Sequence, residues 1–147
     1  MEKKKLIKYL DGIFSPMGFK KRGNMWKAQS AELEKIINLQ RSKYSNSYYL
    51  NYGFIIKNLK LDILEMHVYN RLSSSDDKEN ERIMGLLDLE NEISENERKE
   101  GLKFFIENNL LSELKNTGTE TDLLARLKKR PHLNDVPLVV KRHFQIE

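Results

Sequence analysis

Leu33-Glu34-Lys35-Ile36-Ile37-Asn38-Leu39-Gln40-Arg41-Ser42-Lys43 and, after Tyr44-Ser45-Asn46, Ser47-Tyr48-Tyr49-Leu50-Asn51-Tyr52-Gly53-Phe54-Ile55-Ile56-Lys57 decide the fold of this chain. Both runs alternate apolar and polar residues, the period of a half-buried β-strand. Tyr44-Ser45-Asn46-Ser47 between them suits a hairpin turn. With Ser45-Asn46 as the loop, Arg41 faces Leu50, Leu39 faces Tyr52 and Ile37 faces Phe54 on one side. On the other side Ser42 faces Tyr49, Gln40 faces Asn51, Asn38 faces Gly53 and Ile36 faces Ile55. One face is then mostly apolar, and the other carries amides, a hydroxyl and a ring. A slip of one residue would exchange the two faces.

Further strands flank this hairpin. Lys20–Ala28 is polar around Met25 and Trp26 and reads as the strand before it. Asp62–Leu72 alternates: Leu64, Met66, Val68 and Leu72, with Asn70 in register, point one way, and Glu65, His67, Tyr69 and Arg71 the other. That pattern predicts a strand with one buried and one polar face. Residues 73–80, three serines followed by Asp76, Asp77, Lys78, Glu79 and Asn80, read as a loop. Ile83–Leu89 is too short for periodicity to decide, and we read it as a strand.

Helices occupy the two ends. Leu6, Leu10, Ile13, Phe14 and Met17 form one apolar stripe with lysines opposite, and Pro16 and Gly18 close the helix. Ser94 with Glu97 fits a capping box that opens a helix with Leu102, Phe105, Ile106, Leu110 and Leu114 on one side. Asn116-Thr117-Gly118 stops it, Gly118 suiting a left-handed cap. Thr119 or Thr121 caps a second helix, with Leu123, Leu124 and Leu127, that Pro131 ends. Arg126, Lys128, Lys129 and Arg130 lie toward its C-terminus, where the helix dipole favours cations. Asp135 with Pro137 two residues on suggests a short last helix through Phe144, although Val139-Val140 also suits a strand. The expected architecture is α+β in two layers over residues 1–147 as a single domain: an antiparallel sheet of four or five strands, with the N-terminal and C-terminal helices on its apolar face.

Composition narrows the function. The 147 residues, 39% hydrophobic and 33% charged, suffice for one core, and there is no cysteine. Disulfides, thiol catalysis, Cys-ligated zinc and iron–sulfur clusters are thereby excluded. Lys8 and Asp11 break the apolar run a secretory leader would need, and no stretch approaches the length of a membrane span. A reducing cytosol is the expected compartment. Net charge is +4, but unevenly placed: +6 over residues 1–30, +3 over 31–60, −7 over 61–100 and +2 over 101–147. Lys3, Lys4, Lys5 and Lys8 with Lys20, Lys21 and Arg22 offer nucleic acid a basic face, while a solvated surface balanced by the acidic middle needs no partner.

Motifs for chemistry are sparse. Histidines stand only at 67, 132 and 143, at no metal-ligand spacing, and no phosphate-loop, dinucleotide or serine-hydrolase motif occurs. No catalytic, metal or cofactor residues, and no cofactor, are expected. Trp26 reads as core. Tyr44, Tyr48, Tyr49 and Tyr52 lie near Arg41 and Lys43, but without the aromatic string of an RNA-binding sheet. The polar sheet face remains, where Gln40, Asn51, His67, Tyr69 and Arg71 meet if the third and fourth strands are neighbours. Amides donate and accept, and arginine offers a planar fork for carboxylate or phosphate. Gln40, Asn51, His67 and Arg71 are the candidate binding residues.

The order of segments carries a resemblance. Pro16-Met17-Gly18-Phe19-Lys20-Lys21, then Met25-Trp26-Lys27, Ile36-Ile37-Asn38-Leu39-Gln40-Arg41-Ser42, Tyr49-Leu50-Asn51-Tyr52-Gly53-Phe54 and His67-Val68-Tyr69-Asn70-Arg71-Leu72 resemble the bacterial family called domain of unknown function 4304. The helical end around Phe104–Leu127 also fits. The resemblance implies a small bacterial α+β domain without a recognised catalytic set. Some small bacterial domains of this look neutralise toxins as immunity proteins, which is analogy only. The expected function is recognition of a protein partner without catalysis. The alternatives are nucleic-acid binding through the basic N-terminal segment, and small-molecule binding or catalysis at the polar sheet face through Glu65, His67 and Arg71.

Overall fold

The computed structural model describes residues 1–147. Helix α1 (Lys3–Phe14) leads through a 3-10 turn (Ser15–Met17) into five strands. These are β1 (Lys20–Arg22), β2 (Met25–Gln29), β3 (Leu33–Arg41), β4 (Tyr48–Ile56) and β5 (Val68–Arg71). Each pairs antiparallel with the next, so the sheet is a meander in chain order. Six helical segments complete the chain: α2 (Asp77–Leu87), α3 (Glu95–Ile106), a π-helical turn (Glu107–Leu111), α4 (Ser112–Lys115), α5 (Glu120–Lys128) and α6 (Leu138–Phe144). No helix is long and apolar enough to cross a membrane. The architecture is the α+β arrangement expected from the strand and helix patterns.

The central hairpin keeps its predicted faces but not its predicted register. Arg41 pairs with Tyr48, Leu39 with Leu50 and Ile37 with Tyr52. Neither Ser45 nor Asn46 takes the positive φ that a two-residue turn needs. The loop therefore widens, closed by Ser42 N–H to the Ser47 carbonyl at 2.8 Å. The register moves by an even number of residues, so every side chain stays on its expected face.

The apolar face lies under the helices. Leu6, Leu10 and Phe14 of α1 are buried against Trp26, whose ring meets Phe14 edge-on at 5.2 Å. Trp26 Nε1 donates to Asp11 at 3.0 Å, which settles the one polar atom of this core tryptophan. Leu102, Phe105, Ile106, Leu110 and Leu114, the predicted stripe, join Leu123, Leu127 and Val140 in one apolar cluster. The π-helical turn lets Leu111 enter that cluster as well.

Five local expectations are corrected. Ile83–Leu89 is not a strand: Ile83, Leu86 and Leu87 are the buried side of α2, and the polar first half of that helix resembles a loop in composition. The loop before it ends at Asp76, whose side chain accepts from the N–H groups of Lys78 and Glu79 and starts the helix. The strand over Asp62–Leu72 shrinks to Val68–Arg71: the chain leaves the sheet after Ile56, turns at Asp62 (φ 56°) outside it, and rejoins it only at Val68. Gly118 is not left-handed: the Asp122 carboxylate of the next capping box takes its N–H at 3.0 Å. At Ser94 only half of the expected box forms, the serine accepting from Glu97 N–H, while Thr119 and Asp122 form a complete one.

Gly53 fixes how closely β4 and the segment before β5 approach. A Cβ on it would stand 1.8 Å from the Val68 carbonyl oxygen and 2.7 Å from Met66 Sδ. Glycine is therefore required here by space rather than by φ.

Candidate functional site

The face of the sheet turned away from the helices carries an organised set of polar side chains. Strand register puts Asn38 opposite Asn51, Gln40 opposite Tyr49, and Asn51 opposite Arg71, so six side chains of three strands stand together. Asn51 is the hub. Its amide nitrogen donates to Asn38 Oδ1 at 3.0 Å and to Gln40 Oε1 at 2.7 Å. Its amide oxygen accepts from the Tyr69 hydroxyl at 2.6 Å and from Arg71 Nε at 3.0 Å. An asparagine side chain has two N–H groups and two lone pairs, and all four are used. Arg71 can only donate, so the orientation of the Asn51 amide follows from its partners.

Arg71 is held on several sides while staying exposed. Its Nη2 reaches the Tyr69 hydroxyl at 3.0 Å and Gln40 Oε1 at 3.3 Å. Its guanidinium carbon lies 4.0 Å over the Tyr49 ring, a cation–π contact. Nη1 makes no hydrogen bond within the chain and remains available. Asn51 itself is 2% exposed, so the network is rooted in the sheet and opens outward. Beside it lies a shallow concavity of about 470 Å³, lined by Arg22, Asn24, Asn38, Gln40, Glu65 and Tyr69 among others.

Gln40, Asn51 and Arg71 thus come together as the strand pattern predicts, and Asn38, Tyr49 and Tyr69 join them. His67 does not. It is fully buried, its Nδ1 accepting the Ile56 N–H at 2.8 Å and its Nε2 meeting the Lys60 carbonyl oxygen at 2.9 Å. A carbonyl only accepts, so the ring carries its proton on Nε2 and pins the excursion between β4 and β5. Simple alternation placed His67 beside Arg71 because it could not register that the chain leaves the sheet before Val68. Both ring nitrogens being held by backbone, His67 does not converge with Glu65 and Arg71 as the catalytic alternative required.

A second polar region, at the β5 edge, was not foreseen. Tyr52 donates to Glu113 Oε2 at 2.7 Å, with the Asn109 carbonyl at 3.2 Å. Burial, with the neighbouring Glu113 carboxylate, holds the Tyr52 phenol far above its ordinary value, so it stays a donor. Arg130 donates to Asn70 Oδ1 at 2.8 Å and to the Tyr69 carbonyl at 3.2 Å, and pairs with Asp135 at 3.2 Å. Arg126 reaches the Thr117 hydroxyl and lies 3.9 Å from Glu113. Arg126 and Arg130 therefore have specific partners beyond the helix dipole. The one local signal was their being arginines, four apart, among lysines. The basic N-terminal segment is divided: Lys5 and Lys8 line a groove between helices, whereas Arg22 borders the sheet-face concavity.

A five-stranded antiparallel meander, covered by helices on one face and bearing a hydrogen-bonded Arg–Tyr–amide network on the other, defines a small α+β domain with an open sheet face. The chain belongs to the family described as domain of unknown function DUF4304, which matches residues 10–116. That match contains the whole sheet and every member of the network, and ends before α5 and α6. No curated protein and no solved structure matches the chain.

Proposed function

We propose that the chain is a protein-recognition module that binds its partner through the open sheet face. The observation that carries this reading is the fixing of Arg71 by Asn51, Gln40, Tyr69 and Tyr49 while its Nη1 is left free. Arginine and tyrosine dominate interface hot spots. Side chains already locked in one rotamer lose little entropy on binding. Arg22 on β1 borders the network, while Lys27 on β2 is already paired with Glu34 at 3.1 Å, so Arg22 and Arg71 make a carboxylate-bearing partner surface suit this face better than a basic one. An immunity-type role is one form such recognition takes, with an acidic rather than a basic target.

The test is capture from the native host at native concentration, with and without nuclease. A single stoichiometric protein that survives nuclease and is lost with Arg71→Ala, at unchanged circular dichroism, is the expected result. Capture of nucleic acid alone, lost in high salt, or a partner retained by Arg71→Ala, refutes the reading.

A further inference from the structure

A groove of about 900 Å³ runs along the outer side of the helical layer, across the sheet from the Asn51 network. One wall is α1 and the turn after it, through Lys5, Lys8, Tyr9, Gly12, Ile13 and Met17. The other wall uses every fourth residue of the continuous α3–π–α4 rod: Glu95, Lys99, Lys103, Glu107, Leu111 and Lys115. On a plain α-helix a four-residue step drifts around the axis, because a turn holds 3.6 residues. The wider π-helical turn at Glu107–Leu111 counters that drift and keeps the row on one side.

Three features of this groove face outward from the chain. First, its charge is unbalanced, with five lysines against two glutamates. Glu95 serves both Lys5 and Lys99, Glu107 serves Lys103, and Lys8 and Lys115 have no carboxylate partner. Second, Tyr9, Ile13, Met17 and Leu111 give it an apolar floor. Third, Gly12 sits exposed inside α1, where glycine is a poor helix former beside alanine. A Cβ there would meet nothing within 4 Å, so no contact inside the protein calls for glycine. It leaves the middle of the groove clear for a body outside the chain.

We infer that this groove docks an amphipathic helix of a protein partner, with an apolar ridge on the floor and acidic residues along both edges. The α1 wall, about 18 Å long from the 1.5 Å rise over its 12 residues, matches about three turns of a further helix. Gly12 has no side chain to hold such a helix off, so that helix can approach α1 closely there. Flexible ammonium groups on both walls suit carboxylates spread along a helix, whereas one phosphate group would call for an arginine fork.

The test titrates the full-length protein, followed by amide NMR, with a designed capped peptide of about 15 residues, long enough to hold a helix. The peptide carries leucine along one face and glutamate on both flanks. The expected result is saturable shifts at Gly12, Ile13, Lys99 and Leu111 with a dissociation constant below about 100 µM. A peptide with lysine in place of glutamate should not bind. Lys8→Glu with Lys115→Glu should weaken binding at least tenfold. Gly12→Leu should block binding while raising the melting temperature by a few degrees, roughly the gain expected on removing a mid-helix glycine. Three outcomes overturn the inference: no shifts at 1 mM peptide, equal binding by the lysine peptide, or equal binding by Gly12→Leu. Shifts in the groove with an oligonucleotide or with laurate, but not with the peptide, overturn it as well.

Discussion

Asn51 and His67 are both polar, both almost wholly buried, and both satisfied at every hydrogen-bonding position. They differ in what satisfies them. His67 is held by two backbone groups, the Ile56 N–H and the Lys60 carbonyl, so its bonds fix a path of the chain. Asn51 is held by four side chains, three of which, Gln40, Tyr69 and Arg71, are exposed. Its bonds therefore fix the positions of other functional groups. Burial and hydrogen-bond count do not separate the two residues. The identity of the partners does, and it separates a clamp from a platform. Arg98 falls on the clamp side: its guanidinium is buried on the carbonyls of Leu86, Asp88 and Asn91 and ties α3 to the end of α2.

The strongest way to break this contrast is at Gly53, which both sides share. Gly53→Val forces atoms into the space of the Val68 carbonyl and Met66 Sδ, so β5 must move away from β4. Both the His67 clamp and the Asn51–Arg71 pairing then fail together. We expect a loss of more than about 3 kcal/mol in urea denaturation. A loss below about 1 kcal/mol would mean that the β4–β5 spacing is not what holds either residue. Next in size is His67→Ala. It leaves the buried Ile56 N–H unpaired and frees the Lys60 carbonyl, so about 2–3 kcal/mol should be lost. Partner capture by the folded fraction should persist, since nothing on the platform touches the ring. Capture lost with stability intact would move His67 to the other side of the contrast.

The contrast also marks what could be read from the residues. Faces of the central hairpin were legible despite a wrong turn, because parity survives an even shift. Gln40, Asn51 and Arg71 were found for the same reason. His67 was misplaced because the alternation over Asp62–Leu72 runs through residues that lie outside the sheet, which the chain rejoins only at Val68. Ile83–Leu89 was misjudged because an apolar run was cut from the polar half of its own helix. The bond between Tyr52 and Glu113 joins residues 61 positions apart, and no local pattern announces such a pair. Nor does any motif mark the π-helical turn, which is set by packing of Leu110 and Leu111 into the core.

A smaller effect should follow from Asn51→Ala. Two amides, a phenol and the Arg71 guanidinium lose a partner, but each can turn toward water on this uncovered face. About 1–2 kcal/mol should be lost, less than at His67. The informative readout is Arg71, whose Nε–H signal should be protected in the wild type and exchange freely in the variant. A double-mutant cycle with Arg71→Ala should give a coupling of about 0.5–2 kcal/mol, since the pair sits in one network. A coupling near zero would mean that Asn51 does not position Arg71.

Arg71→Ala should move stability least, by under about 1 kcal/mol, because the group is exposed and its partners can be rehydrated. Its effect on recognition should be the largest of the series. Arg71→Lys sharpens the point. Lysine keeps the charge but has no Nε–H to give Asn51, no plane to lie on Tyr49 and no second nitrogen for a partner carboxylate. If charge alone attracts the partner, Arg71→Lys should bind like the wild type, with an affinity that falls as salt rises. If the fixed geometry matters, lysine should bind nearly as poorly as alanine, and the loss should appear in the dissociation rate rather than the association rate. Surface plasmon resonance on the captured partner distinguishes the two. The platform reading requires the second.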